Sequence, residues 1–288
     1  MIHVALVGFG GPESEDEVRP FIEGILAGRR ASPGRVAEVA EQYAAVGNRS
    51  PYNDEARALA AALREALAKR GVDVDLRLAC RSWTPRLEEL ARDWTAVPVV
   101  AVSLTPYGGG PDGDMNRRRW DEQPRSASVS WVDGWHAGPG LFTAWVDRLR
   151  HEGAEHLLLT AHSVPVRAAH PYSDRIQALA ERVAGAAGRS ADEWSLVWQS
   201  RSGRPEDPWL EPDVCDRIET LADEGVRSVA VAPLGFVFDH VEVLYDLGVE
   251  ARAVAERRGL AFSRVLAPGT HPALVDDLAS RIVAAAER

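Results

Sequence analysis

Within the stretch "GFVFDHVEVLYDLGVE" (235–250), an apolar run breaks into Asp239, His240 and Glu242, and Asp246 and Glu250 then follow at four-residue steps. On a helix, Glu242, Asp246 and Glu250 share one stripe. Like charges at that spacing repel by roughly 0.2–0.5 kcal/mol per pair. A cation moving along the stripe would offset that cost; a solvated acidic face is the plainer alternative. His162 ends the apolar run "HLLLTAH" and opens the turn "SVPV", at the kind of strand end where α/β active sites form. A hydrogen-bonded turn histidine would sit there equally well. Taken together, a neutral imidazole facing carboxylates can ligate a divalent cation and accept protons. The only thiols, Cys80 and Cys215, lie far apart, which excludes a thiolate zinc or iron–sulfur site made by this chain alone. Ser163 adjoins His162, but no G-x-S-x-G elbow occurs, so serine catalysis is set aside.

Three further loops carry residues suited to a flat ligand. "GFGGP" (8–12) lacks the third glycine of a dinucleotide loop; its small residues around Phe9 and Gly10 would let a planar molecule approach the backbone. "TPYGGG" (105–110) sets Tyr107 beside glycines, and "WQSRSGRPEDPWLEPD" (198–213) is a rigid polar loop holding Gln199. Loops of this kind carry function on a rigid scaffold. Trp194, Trp198 and Trp209 are read as core.

These residues need a scaffold, and the alternation of elements indicates one. Apolar runs at 3–9, 73–80, 97–104, 127–133, 155–162, 193–200, 228–236 and 260–268 read as strands. Helical patterns fill 15–27, 35–46, 53–70, 84–94, 112–122, 140–151, 172–186, 212–224, 241–257 and 272–287. Strands apolar on both faces and separated by helices predict an α/β fold with mostly parallel sheet. "VPVVAVSLTPYGGG" resembles "VRSVAVAPLGFVFDH", and "HVALVGFGGP" resembles "EHLLLTAHSVP". The repeat predicts two similar Rossmann-like halves, 1–138 and 139–268, with a cleft between them and a helix at 269–288 packing back. A chain of 288 residues can bury such a core. A net charge of −10 argues against a nucleic-acid surface. No apolar run is long enough to span a bilayer, and "MIHVALVGFGGP" lacks the marks of a secretory signal. A cytoplasmic protein is expected.

Several of these stretches, in order and across nearly the whole chain, resemble the ferrochelatases. "LVGFGGPES" is similar to that family's first strand and loop, "VGNRSPYN" (46–53) to its Gly-Gly-x-Ser-Pro segment, "TAHSVP" to its histidine motif, "WQSRSGRPEDPWLEPD" to its Gln-Ser loop and "GFVFDHVEVLYD" to its acidic motif. The resemblance implies a chelatase-type fold that inserts Fe2+ into a porphyrin, coproporphyrin III by preference over protoporphyrin IX. It implies that His162 accepts pyrrole protons or contacts metal, with Glu242 its partner across the ring. Asp246 and Glu250 would deliver the metal along a helix that the family often widens into π geometry. Phe9, Gly10, Arg49, Ser50, Tyr107, Ser163, Gln199 and His240 would contact substrate, and Arg29 and Arg30 would join Arg49 in pairing with propionates.

There are departures. Phe9 replaces a tyrosine able to ligate metal in some members, and Leu26 and Ala27 stand where some carry arginines. No iron–sulfur cluster is expected with two cysteines, and a monomer fits the resemblance. The alternatives are a cobalt or nickel chelatase of a sirohydrochlorin-type ring, which usually has a second histidine where Glu242 stands, or a non-catalytic tetrapyrrole-binding protein.

Overall fold

The computed structural model describes residues 1–27, 34–108, 111–202 and 206–288, and of 111–114 the backbone alone. Eight strands form two parallel sheets of four. The first contains β1 (Ile2–Gly8), β2 (Val74–Cys80), β3 (Val99–Ser103) and β4 (Val129–Val132), in the order β2-β1-β3-β4. The second contains β5 (His156–His162), β6 (Trp194–Gln199), β7 (Ser228–Ala232) and β8 (Ala261–Arg264), in the order β6-β5-β7-β8. The two orders are the same with numbers advanced by one set of strands, so β5 repeats β1 and β7 repeats β3, as the paired sequence stretches anticipate.

The helices are α1 (Glu15–Leu26), α2 (Arg35–Ala45), α3 (Tyr52–Lys69), α4 (Leu87–Asp93), α5 (Pro111–Asp121), α6 (Pro139–Leu149), α7 (Tyr172–Ala186), α8 (Val214–Asp223), α9 (Arg252–Arg257) and α10 (Pro272–Ala286). A π-helical segment, Val243–Ala251, runs directly into α9. The single helix expected over 241–257 is therefore wide in its first part and ordinary in its second. Two expected strands stop early. β7 ends before Pro233, whose nitrogen cannot donate to the ladder, and β8 ends at Arg264.

Both faces of each sheet are covered, which is why the strands read as unbroken apolar runs. On β1, Val4 and Leu6 point into one core while Ala5 and Val7 point into another under α4. On β5, Leu157, Leu159 and Ala161 join the core that holds Val4 and Leu6, and Leu158 faces α8 and the π segment. One continuous apolar core thus takes a face from each sheet, with Leu59, Leu63 and Leu67 of α3 and Leu274, Leu278 and Ile282 of α10 inside it. Each fully buried leucine contributes roughly 1.5–3 kcal/mol from lost apolar surface. The final helix packs against α3 and α6.

The strand C-terminal ends converge. The Tyr107 hydroxyl, after β3, donates to the Leu234 carbonyl, after β7, at 2.5 Å. Phe9, after β1, and Val241, after β7, pack against one cluster of Val18, Phe21, Ile22 and Tyr43. Gly235 lies against β5, and a Cβ there would stand 2.7 Å from Ala161 Cβ and 2.9 Å from its Cα. Gly235→Ala should therefore push the β7 loop off the strand that ends in His162. A loss of about 1–3 kcal/mol is expected in urea unfolding of that variant against the wild type.

Candidate active site

His162 is the last residue of β5 and pairs in register with Gln199 on β6. Its Nδ1 makes a short hydrogen bond to the Ser163 carbonyl. A carbonyl only accepts, so Nδ1 carries a proton, and whenever the ring is neutral its lone pair is on Nε2. That nitrogen lies 3.7 Å from Glu242 Oε1. Ser163 is fixed in turn. Its N–H donates to the Gln199 carbonyl at 2.8 Å and its hydroxyl to the Leu210 carbonyl at 2.9 Å. Gln199 accepts from Thr160 Oγ1 at 2.7 Å and donates through Nε2 to the Glu242 carbonyl at 3.0 Å. Both residues were expected to touch substrate. They are 2% and 1% exposed, and their polar groups orient His162 and Glu242.

Glu242 sits between two imidazoles. His240 Nδ1 is 3.7 Å from its Oε2, opposite His162. The His240 ring packs edge-on against Phe236 with centroids 4.7 Å apart, and edge-on to Tyr52 at 6.5 Å. Burial alone would raise the Glu242 carboxyl; the protonated His162 ring, then protonated His240 and Arg35, outweigh it and hold the group down to about 2. The carboxylate is therefore ionised throughout the neutral range. Arg35 comes from α2, which packs on the π segment. That helix carried no expected role.

The next carboxylate behaves oppositely. Asp246 lies inside the π segment, 9% exposed. Burial, then the charge on Glu242, push it up to about 7, against the pull of a hydrogen bond from Ser200. Ser200 makes that bond from a left-handed backbone, φ 61°, a conformation costing about 1–2 kcal/mol for a non-glycine residue. Glu250 follows at the surface, its carboxyl raised by burial and by Asp213 and Glu38. Glu242 caps the π segment and Asp246 and Glu250 lie within it, a low, a near-neutral and a raised acid in sequence. Such a series can pass protons outward or a cation inward.

The remaining expected contacts divide. Phe9 keeps partial exposure against the cluster it shares with Val241, with the Arg81 guanidinium 5.0 Å over its ring. Gly10 has φ 86°, and a Cβ on it would meet Cys80 Cβ at 2.7 Å, so close packing there requires a glycine. Ser50 is 2% exposed and its hydroxyl accepts from Tyr52 N–H at 3.3 Å, within the turn that starts α3. Arg49 pairs with Asp54 on α3. Tyr107 is 1% exposed, one face stacked on His136 at 5.3 Å, so it pins two loops and offers no open face. Arg29 and Arg30 lie outside the described residues. Ser200, Arg35 and Tyr52 were missed. For two of them there was a signal: Ser200 stands beside Gln199 in the quoted loop, and Tyr52 lies within the quoted segment 46–53.

The ferrochelatase family model matches residues 2–286. This chain belongs to the ferrochelatase family. It is 40% identical to the coproporphyrin III ferrochelatase of Propionibacterium freudenreichii over 97% of its length and 86% of that protein's. It is 38% identical to that of Nocardia farcinica over 93% of its length and 83% of the relative's. Among solved structures it is similar to SirB from Bacillus subtilis with Fe3+, at a TM-score of 0.56 and 15% identity, covering 99% of this chain and 96% of that one. DR2241 from Deinococcus radiodurans, a multi-domain protein with structural similarity to chelatases, gives 0.54 and 16%, covering 97% of this chain and 54% of that one. Both show the fold alone. Ferrochelatases are metal-inserting enzymes, and the paired His162 and Glu242 stand where the two similar sheets meet.

Two outcomes follow from the acids. Ser200→Ala removes a bond that favours the ionised form, so the Asp246 carboxyl should titrate above about 7 in carboxyl-carbon NMR. The folded state holds a proton on Asp246 that the unfolded chain releases near pH ~3.9. Wild-type stability should therefore fall as pH rises through that window to about 7. Asp246→Asn should flatten this slope in thermal unfolding between pH ~5 and ~8.

Proposed function

We propose that this chain inserts Fe2+ into coproporphyrin III in haem formation, with His162 and Glu242 taking the two pyrrole protons. The observation that carries the reading is the Glu242 carboxylate flanked by His162 Nε2 and His240 Nδ1, each at 3.7 Å. Fe2+ binding to the four ring nitrogens displaces two N–H protons. The lone pair on His162 Nε2 is the acceptor for one, because Nδ1 is already committed to a carbonyl. The other passes to Glu242 and on to Asp246, whose affinity for a proton lies near neutrality. Glu250 releases protons to solvent and receives the incoming cation, so Asp246 and Glu250 serve both traffics. A flat ring must bend before its lone pairs open to the metal, at a cost of about 1–5 kcal/mol drawn from contacts on its rim. Arg49, with Arg29 and Arg30, is the source of carboxylate contacts for that rim.

The choice of coproporphyrin III over protoporphyrin IX follows the relatives in P. freudenreichii and N. farcinica. The protein acts as a cytoplasmic monomer of two α/β halves, 1–138 and 139–268, with the helix of 269–288 packed across them. No helix among the described residues is long and apolar enough to cross a membrane. It works without an iron–sulfur cluster. Burial pushes both thiols, Cys80 and Cys215, up to about 12, which disfavours the thiolates that a cluster requires.

Anaerobic mixing with Fe2+ and each ring, followed by the metalloporphyrin absorption bands, tests the reading. Coproporphyrin III should be metallated faster than protoporphyrin IX. His162→Ala should lose at least about 100-fold in kcat while still quenching porphyrin fluorescence on binding. Turnover of sirohydrochlorin with Co2+ and none of Fe2+ with porphyrins would overturn it.

A further inference from the structure

The turn Phe238–Asp239–His240 delivers His240 and Glu242 to the crevice, and it is gripped from both sheets. From the second sheet, Arg264 at the end of β8 makes a two-pronged pair with Asp239, both contacts at 2.9 Å, with the side chains 14% and 13% exposed. From the first, two residues in the opening turn of α3 reach across. Glu55 Oε2 accepts the Asp239 backbone N–H at 3.3 Å. Tyr52 packs its ring edge-on against Phe238 at 5.5 Å and against His240 at 6.5 Å. Its hydroxyl meanwhile accepts the Phe9 N–H at 3.1 Å, so one side chain ties the loop after β1 to the loop after β7. Phe238 and Tyr52 also belong to the main apolar core, whereas Glu55 is an acid placed where it faces another acid. Burial, then Asp239, push its carboxyl up to about 7, against the Asp239 N–H, Arg264 and Arg148. A leucine there would avoid that penalty altogether.

We propose that Tyr52 and Glu55 are positioning residues that clamp the Phe238–His240 turn to the first sheet and thereby set the aim of His240 and Glu242 at the metal. The clamp rests on the reading of this site as a metal-inserting centre. Glu55 fixes the backbone one residue before His240, and Tyr52 limits the tilt of the His240 ring. Without them the turn loses its contacts with α3 and pivots more freely on the Asp239–Arg264 pair. The distance from His240 Nδ1 to Glu242 Oε2 then loosens, and the flanked carboxylate loses one neighbour.

The test uses Glu55→Leu, which removes the acceptor; Glu55→Gln, whose amide oxygen still accepts the N–H; and Tyr52→Leu, which removes the ring. In the porphyrin-free protein, titration with Co2+ reads the metal-binding groups without turnover. Glu55→Leu and Tyr52→Leu should each bind Co2+ about tenfold more weakly, as loss of an orienting partner does at metal sites. In the Fe2+ insertion assay both should lose about tenfold in kcat with the porphyrin Kd unchanged, and Glu55→Gln should return to within about threefold of wild type. A general loss of packing would shift the porphyrin Kd too and would not be rescued by the amide. Should Glu55→Leu fail to fold, Tyr52→Leu and Glu55→Gln decide. Co2+ affinity and kcat of Tyr52→Leu within about twofold of wild type, or Glu55→Gln as impaired as the leucine variant, overturns the clamp. Wild-type protein that binds Co2+ as described but inserts no Fe2+ would count against the function and leave the clamp to the Co2+ titration.

Discussion

An ionised carboxylate between two imidazole rings governs the rest of this site. Glu242 is drawn down to about 2 because His162 and His240 flank it, and its charge then helps hold the neighbouring Asp246 up near 7. The two acids are four residues apart and chemically alike. Their separation in proton affinity comes from place alone, one beside the rings and one sunk in the π segment. A pair of titratable groups pushed apart in this way is how a fold divides acid and base work near neutral pH.

Much of the polar machinery behind that contact is backbone. The Ser163 carbonyl selects the tautomer of His162, and the Gln199 amide holds the Glu242 carbonyl. Ser163 and Gln199 face inward, spending their side chains on Leu210 and Thr160. Through these bonds both residues orient His162 and Glu242 from behind. The strain at Ser200 belongs to the same economy. A left-handed serine is tolerated there because its hydroxyl supplies the one hydrogen bond that tempers the Asp246 carboxyl.

Strand positions and the repeat were legible in the sequence, because strands covered on both faces leave continuous Val and Leu runs, and β1 and β5 carry them in the same relation to β3 and β7. His162 and the acid stripe were legible for a related reason, since each interrupts such a run at a strand end. Side-chain burial was not. Tyr107 beside glycines reads as an open aromatic face, but its ring is closed over by His136 and its hydroxyl by Leu234. Gly10 reads as a gap for a ligand, and the closeness of Cys80 to it could not be read from the chain. Those outcomes depend on neighbours distant in the chain, as does the reach of Glu55 to Asp239, 184 residues away. The π geometry of Val243–Ala251 was suggested by family resemblance, not by any residue pattern.

The single apolar core that takes one face from each sheet has a mechanical consequence. Leu6 and Leu159 belong to the same packed mass, and α10 lies against α3 and α6. Close-packed interiors resist compression and do not flex smoothly. The ends of the two sheets consequently behave as two faces of one stiff block. A planar guest lodged there would have to conform to the block, so deformation would be stored in the guest and not in its host.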